Sequence, residues 1–557
     1  MLVRDLMLDT NPDRSLFRQS AIPRATNIAL LTNSALAGEN LGRFAEYRRL
    51  SLVGLALLGI VVLSLSLNLA GHDFPLGYHF DEQGKVDQIV AGRNLFSHPA
   101  FMIEANRLVH FFTQDETPQQ IVETGRALTA LFGAAIVVAS FLLFRPLGGS
   151  AAALLTCLAV AVSPILVVHA HYLKEDSYFT FAVTLALAAY LAFLHRMDAR
   201  RTVLLGVATG LALATKYAGA LLFLFYAIEL LWIDAADRRH YVRGIAGALA
   251  IALAVFLVVD FRLFGDTAVF FHNLGFEIGH AATGHANNEV KMAITALDFW
   301  FAFHLLYSIL PGIGIVMAGA VVLALAQWAL GLLPLSHEEK ILAGFALFFY
   351  LAIEISPSKP FPDFMRYAMP IVPVLLYLAV RGLLALGRRI APSYALLGPL
   401  LCLAAIAAPG YDSVRLVANL NDDTRAALVS ALQGLHGTVQ EERYAAPDSI
   451  EAISPSGTWP VLAEEYAVPE SKLFTASLYP IETLRTAGIR YVAVSSFTYD
   501  RYEVSGRLAG QDPEIYRRRQ RYEDLFACGY RAFRPAYRSF GFSNPEIRLI
   551  DLAGCKD

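Results

Sequence analysis

Ser163 to Tyr190 reads SPILVVHAHYLKEDSYFTFAVTLALAAY, two apolar stretches joined by a short segment that carries His169, His171, Lys174, Glu175 and Asp176. An ionisable side chain costs about 2.5–3.5 kcal/mol at the centre of a membrane helix on insertion scales and less near the interface. This pattern places the junction at a membrane boundary, facing either a polar turn at headgroup level or a shared cavity. The flanking stretches then read as helices inside the bilayer, and the fold follows from extending that reading in both directions.

The whole chain supports it. Of 557 residues, 56% are hydrophobic and 17% charged, with a mean hydropathy of +0.48, too apolar for an ordinary soluble domain. Net charge is −3 without a long basic run, which excludes a nucleic-acid partner on electrostatic grounds. The first 48 residues are polar and interrupted by Pro12 and Pro23, and they lack the apolar core and cleavage site of a removable signal peptide. Leu50 to Ala70 is therefore expected to stay as an anchor.

A helix needs about 20 apolar residues to cross a hydrocarbon core of about 30 Å. By that measure we expect about eleven crossings, at roughly 50–70, 124–144, 150–168, 178–194, 202–214, 217–233, 243–261, 299–330, 340–355, 367–386 and 391–408. The eighth is long enough to tilt strongly as a single span. Arginines collect in three short loops, Arg196/Arg200/Arg201, Arg238/Arg239/Arg243 and Arg381/Arg388/Arg389, on the same side as Arg43, Arg48 and Arg49; that side is read as cytoplasmic. Three regions result: a cytoplasmic tail at 1–49, a transmembrane domain at 50–409 whose first outer loop is 71–123, and a soluble domain at 410–557. In the last, RYVAVSS (Arg490–Ser496) has strand character and Ile481–Ala487 helical character, giving an α/β domain on the outer face. No inverted internal repeat of the transporter kind is visible. The spacing of the four cysteines fits no zinc motif. Cys157 and Cys402 fall in apolar runs, and Cys528 and Cys555 lie where a bridge can form in an oxidising compartment.

On the outer side, three further motifs carry charge. GYHFDEQGKVDQIVAGRNL (Gly77–Leu95) holds Asp81 and Glu82, adjacent carboxylates that point in different directions, so that one can take a proton while the other tunes it; a solvated helix start capped by Asp81 accounts for the same residues. GLALATKYAGALLF (Gly210–Phe223) sets Lys216 and Tyr217 inside an apolar run, where the ammonium either snorkels or serves as a point charge for a phosphate. PFPDFMRYAMPIVP (Pro360–Pro373) places Arg366 and Tyr367 at the start of a crossing, where a guanidinium can grip phosphate oxygens. Lys359 is a weaker candidate in the same loop. Two acidic and two cationic clusters on one face suit a phosphate leaving group and a hydroxyl nucleophile.

Taken in order, HFDE (79–82), HYLKEDSYF (171–179), GLALATKYAGAL, GHAATGH (279–285) and RYAMPIVP (366–373) resemble the polytopic GT-C glycosyltransferases. They are closest in kind to the bacterial branch related to protein O-mannosyltransferases and lipid A aminoarabinose transferases; NDDTRAAL (421–428) and TLRTAGIRYVAVSS (483–496) resemble that branch's periplasmic domain. The resemblance implies an α-helical polytopic enzyme of the bacterial inner membrane with its site and C-terminal domain on the periplasmic side. It implies inverting transfer of a hexosyl or pentosyl unit from a polyprenyl-phosphate donor to a lipid or glycan hydroxyl. Asp81 would be the general base, supported by Glu82, with Asp176 as the second acidic position. Lys216, Arg366 and Lys174 would hold the donor phosphate, and Tyr217, His171, Glu175, His285 and Tyr367 would line the substrate cavity. In some relatives carboxylates at these positions bind a divalent cation, Mg or Mn, and in others none. The chain departs from the mannosyltransferase pattern in having only Arg262–Asp298 where a three-fold sensor domain would sit, which sets protein O-glycosylation behind lipid or glycan acceptors. His280 and His285, five apart across a glycine-containing loop, are no metal site by spacing. The alternatives from other classes are a lipid or small-molecule flippase and a non-catalytic scaffold on the same fold.

Overall fold

The computed structural model describes residues 50–79, 81–287, 290–359, 363–433, 435–442, 444–445, 476–506 and 513–555. Each of the eleven expected crossings overlaps helix, but several run across breaks in it, as at 162–163, 314 and 391–396. Among the described residues six helices are long and apolar enough to span a bilayer, or seven if one sharply bent pair counts as a single span.

The first, α1 (Leu50–Leu69), is packed lightly by the rest of the chain, so its apolar side chains are left for lipid. The outer loop that follows forms α2 (Asp81–Ala91) and α3 (Phe101–Thr113). Next, α4 (Pro118–Ala161) starts on a capping box in which Thr117 and Gln120 satisfy each other's backbone N–H groups. Its 44 residues would extend about 66 Å at 1.5 Å per residue, twice a hydrocarbon core. Gly149, at φ 75°, breaks it between the two expected crossings. After α5 (Pro164–His169) come α6 (Asp176–His195), α7 (Ala199–Thr215), α8 (Ala220–Glu229) and α9 (Arg238–Val259). Helices α7 and α9 pack closely because Gly206 and Gly210 face Ala248 and Ala252. A methyl group at Gly210 would come within 2.9 Å of the Ala252 Cα, so small residues four apart let the backbones approach.

Helix α10 (Thr267–Thr283) and a short hairpin, β1 (His285–Asn287) with β2 (Val290–Met292), complete the next outer segment. The expected single tilted span at 299–330 is instead two pieces, α11 (Leu305–Ile313) and α12 (Ile315–Ala329), bent by 107°. Pro311 sits in the last turn before the break, and Gly314 takes φ 80° there, a conformation that a side chain would strain. Three helices close the bundle: α13 (His337–Ile355), α14 (Val372–Ile390, entered through a 3₁₀ segment at Asp363–Ile371) and α15 (Leu397–Ala418).

Beyond α15 lies a four-stranded sheet in the order β3 (Val439–Glu441), β4 (Tyr491–Ser495), β6 (Ile547–Asp551), β5 (Tyr530–Phe533), with β3 parallel to β4 and the other pairs antiparallel. Period-2 alternation sends Val492 and Val494 into a cluster with Leu484, Tyr522 and Leu525, and Ala493 to the opposite face with Leu428 and Phe533. The expected strand and helix in this region are both present, the helix as α17 (Ile481–Thr486) after α16 (Thr424–Leu432), followed by α18 (Ser496–Gly506) and α19 (Pro513–Ala527). A disulfide joins Cys528 to Cys555, while Cys157 and Cys402 are free and buried. Mass spectrometry of the denatured protein should accordingly show two alkylated cysteines before reduction and all four after it.

Candidate active site

Asp81 owes its place to its neighbour. Glu82 is fully buried and meets Arg126 from α4 in a fork, with Nε to Oε1 at 2.9 Å and Nη2 to Oε2 at 2.5 Å. The same carboxylate accepts the Leu173 N–H at 2.9 Å. Arg126 also donates to the Phe74 and His72 carbonyls, and its guanidinium lies 3.5 Å from the Phe74 ring centroid. Glu82 therefore fastens three pieces of chain together, the first outer loop, α4 and the turn before α6. The adjacent Asp81 points the other way, its side chain 38% accessible.

That turn delivers the rest. Lys174 Nζ is paired with Asp81 Oδ2 and lies 3.8 Å from Glu175 Oε1. Glu175 also meets Lys85 Nζ at 3.3 Å and His98 Nε2 at 2.6 Å. Asp176, the first residue of α6, is paired with Lys216, and Arg366 Nη1 stands between Asp81 at 3.8 Å and Asp176 at 4.0 Å. Three carboxylates and four cations thus form one continuous network, so a charge taken out of water finds a partner. Only Asp81 and His98 keep more than about a tenth of the side chain accessible. A ligand entering from solvent meets these two groups.

The electrostatics follow from the pairing. Burial pushes the Asp81 carboxyl up, but Lys174, His79 and Arg366 together outweigh it and hold it well below the usual carboxylate range. Glu175 behaves likewise, with burial opposed by His98, Lys174 and Lys85 and the ionised form favoured. Burial lowers His98 to about 4 against the pull of Glu175, so its imidazole is neutral at pH 7. Glu277 on α10 is raised, first by burial and then by the Glu175 carboxylate.

Of the residues singled out from sequence, Asp81, Lys174, Glu175, Asp176, Lys216 and Arg366 come together. Tyr367 stays beside them, its ring 5.5 Å from the Arg366 guanidinium. Tyr217 donates to the Phe96 carbonyl at 2.8 Å, which steadies the loop bearing His98. Glu82 instead forms the buried anchor with Arg126, apart from the ion-pair network around Asp81. His171 is buried, with ring nitrogens 2.8 Å from the Val167 carbonyl and 3.0 Å from that of Ala70. Lys359 turns to the carbonyls of Ile294, Glu354 and Ser356. His285 falls on β1, and its side chain lies outside the described residues. Sequence reasoning passed over Lys85, His98, Arg126 and Glu277. Arg126 had a legible signal, a guanidinium inside an apolar helix, and Lys85 lies four residues after Asp81 on the same helix. His98 had none.

Among the described residues no three His, Cys, Asp or Glu side chains are placed to hold a metal ion. The carboxylates expected for that role are each paired with an ammonium group, Asp81 with Lys174, Glu175 with Lys85 and Asp176 with Lys216, so positive charge of the protein's own already stands where a divalent cation would sit.

Comparison with known proteins bears on this geometry. The family model for dolichyl-phosphate-mannose-protein mannosyltransferase matches residues 111–274, from α3 through α10, a stretch that includes Glu175, Asp176 and Lys216. No curated protein matches the sequence significantly. Among solved structures, the Archaeoglobus fulgidus oligosaccharyltransferase tethered with an acceptor peptide superposes with a TM-score of 0.52 at 13% identity, covering 90% of this chain and 74% of the other. The chain shares the fold of that oligosaccharyltransferase over most of its length. A second structure of the archaeal enzyme, in complex with an inhibitory peptide and a dolichol-phosphate, aligns at a TM-score of 0.50 and 14% identity over 90% of this chain and 74% of the other. ArnT from Cupriavidus metallidurans bound to undecaprenyl phosphate aligns over 90% of this chain and 99% of its own at a TM-score of 0.46 and 14% identity.

Removing one member of a fully buried ion pair leaves the other uncompensated, at a cost of about 3–5 kcal/mol. Arg126→Met and Glu82→Gln should each lower the unfolding temperature of the detergent-solubilised protein sharply. Asp81→Asn, at a half-accessible position, should leave it nearly unchanged.

Proposed function

We propose that this protein transfers a sugar from a polyprenyl-phosphate donor to the hydroxyl of a lipid or glycan acceptor, with inversion, on the periplasmic face of the inner membrane. The observation that carries the reading is one accessible carboxylate, Asp81, set among four cations that outnumber the three carboxylates they touch. The family segment and the dolichol-phosphate in the archaeal neighbour support the donor class. The arginine-bearing loops support the orientation.

In this reaction the acceptor oxygen attacks the anomeric carbon from the face opposite the phosphate. Its proton passes to Asp81, and the bond from the anomeric carbon to the phosphate oxygen breaks with its electron pair leaving on that oxygen. The departing phosphate gains one negative charge. Lys174, Lys216 and Arg366 are in place before the step, and preorganised charge of this kind stabilises the transition state without reorganising. Lys174 has two claims on it, because it neutralises Asp81 in the free protein and is the cation nearest any phosphate beside that carboxylate. A bound phosphate draws Lys174 away from Asp81 and returns basicity to the carboxylate, so the base is strongest when the donor is present. The ammonium and guanidinium groups take the part that a divalent cation would otherwise fill.

Four outcomes test this. Asp81→Asn should abolish transfer, measured as loss of one defined sugar from the glycolipids or glycans of cells carrying only that variant, while the protein accumulates and inserts normally. Transfer at the parent rate would sink the mechanism. Because Asp81 ionises well below the usual range, the acid limb of kcat/KM should lie below pH 3.8, the carboxyl's ordinary value. Lys174→Met removes the leading charge that opposes burial and should move that limb to higher pH. Exhaustive chelation with EDTA should leave the transfer rate of the purified protein unchanged.

A further inference from the structure

The C-terminal domain does not merely follow the membrane bundle; one of its loops reaches the segment that carries Asp81. Asp423, the N-cap of α16, accepts the Arg425 Nε at 2.7 Å and Nη2 at 2.7 Å, and also the Asn544 N–H at 2.9 Å. Arg425, 1% exposed, sends Nη1 across to the Tyr78 carbonyl at 2.6 Å and Nη2 to the Phe542 carbonyl at 3.0 Å. Its guanidinium covers the Tyr78 ring at 4.2 Å. One buried arginine therefore ties the first outer loop to the 540–544 turn. That turn is fixed in its own right, with Asn544 at φ 53° and bonded through its side chain to the Thr424 N–H and the Asn419 carbonyl.

The turn presents Phe542 to His79. The two ring centroids are 4.1 Å apart, and Tyr172 packs against both, 4.7 Å from the imidazole and edge-on to Phe542 at 6.5 Å. His79 is 1% exposed, its Nδ1 accepts the Asp81 N–H at 3.3 Å, and its carbonyl accepts the Glu82 N–H at 3.0 Å. Glu82 anchors one end of this short segment from the membrane side. Phe542 and Arg425 hold the other from the soluble domain.

We propose that Phe542 is a positioning residue for the transfer reaction, acting through His79 to set where the Asp81 carboxylate stands, with Arg425 fixing the turn that presents it. The soluble domain is then a working part of the active site as well as an appendage to it. This inference rests on the glycosyltransferase reading. It adds that the reacting carboxylate is held from both domains, and that a displacement of about 1 Å at such a group can cost about a hundredfold in rate.

The test uses the full chain in detergent with a panel of undecaprenyl-phosphate hexoses and pentoses as donors and a membrane lipid extract as acceptor, together with hydrogen exchange of the intact protein. Phe542→Ala should lower kcat by about tenfold to a hundredfold with the donor KM within about twofold. Exchange should rise in the peptide spanning Tyr78–Glu82, while α6 and α14 stay as protected as in the parent. Phe542→Tyr, which keeps the ring, should restore both. Should Phe542→Ala fail to accumulate, Phe542→Leu takes its place with the same expected direction. A normal kcat with Phe542→Ala, or unchanged exchange at Tyr78–Glu82, overturns the proposal, while Asp81→Asn measured in parallel still reports on the glycosyltransferase reading. If the parent transfers no donor of the panel, unchanged exchange overturns the inference and raised exchange supports the contact it requires.

Discussion

Charges removed from water have to be matched, and the outer end of this bundle is organised around that constraint. The Glu82–Arg126 fork is its fixed point. A carboxylate and a guanidinium, both fully buried, satisfy each other and also collect the backbone of two separate loops, so the pair specifies one arrangement of chain where many apolar packings would be similar in energy. The next residue inherits that precision. Asp81 is held in place largely by a bond it does not itself make, so its own oxygens meet only the movable cations Lys174 and Arg366.

The network beyond Asp81 is less a set of independent pairs than a shared account of charge. Lys174 touches two carboxylates and Arg366 approaches two, so moving any one group changes the partners of the others. Such coupling suits a site where a charged ligand arrives and a charge of the same sign leaves. A structural salt bridge would gain nothing from being divided in this way.

Much of this was legible in the sequence, for reasons that differ residue by residue. The helices were legible because a bilayer imposes length and apolarity on each of them. The cluster at 174–176, with Lys216 and Arg366, was legible because ionisable groups at a membrane boundary stand out against their neighbours. The bend at Gly314 was missed because continuous apolarity hides a break, although Pro311 and Gly314 are both in the sequence. Glu82 was taken as a partner of Asp81 in the chemistry because adjacency in sequence suggests adjacency in role; its true partner, Arg126, is 44 positions away. His98 and Phe542 were beyond reach, since their roles arise from contacts that no local pattern encodes.

The strand order carries a consequence for biogenesis. Strand β6 lies between β4 and β5, although among the described strands it is the last in chain order, and the turn bearing Phe542 comes shortly before it. During translation the membrane helices can insert and the anchor at Glu82 can form while the sheet still lacks an inner strand. Insertion and maturation are thereby separated in time. A chain interrupted before β6 would reside in the membrane with its charge network supported from one side only, correctly delivered yet unfinished, and recognisable to quality control by the unpaired edges of β4 and β5.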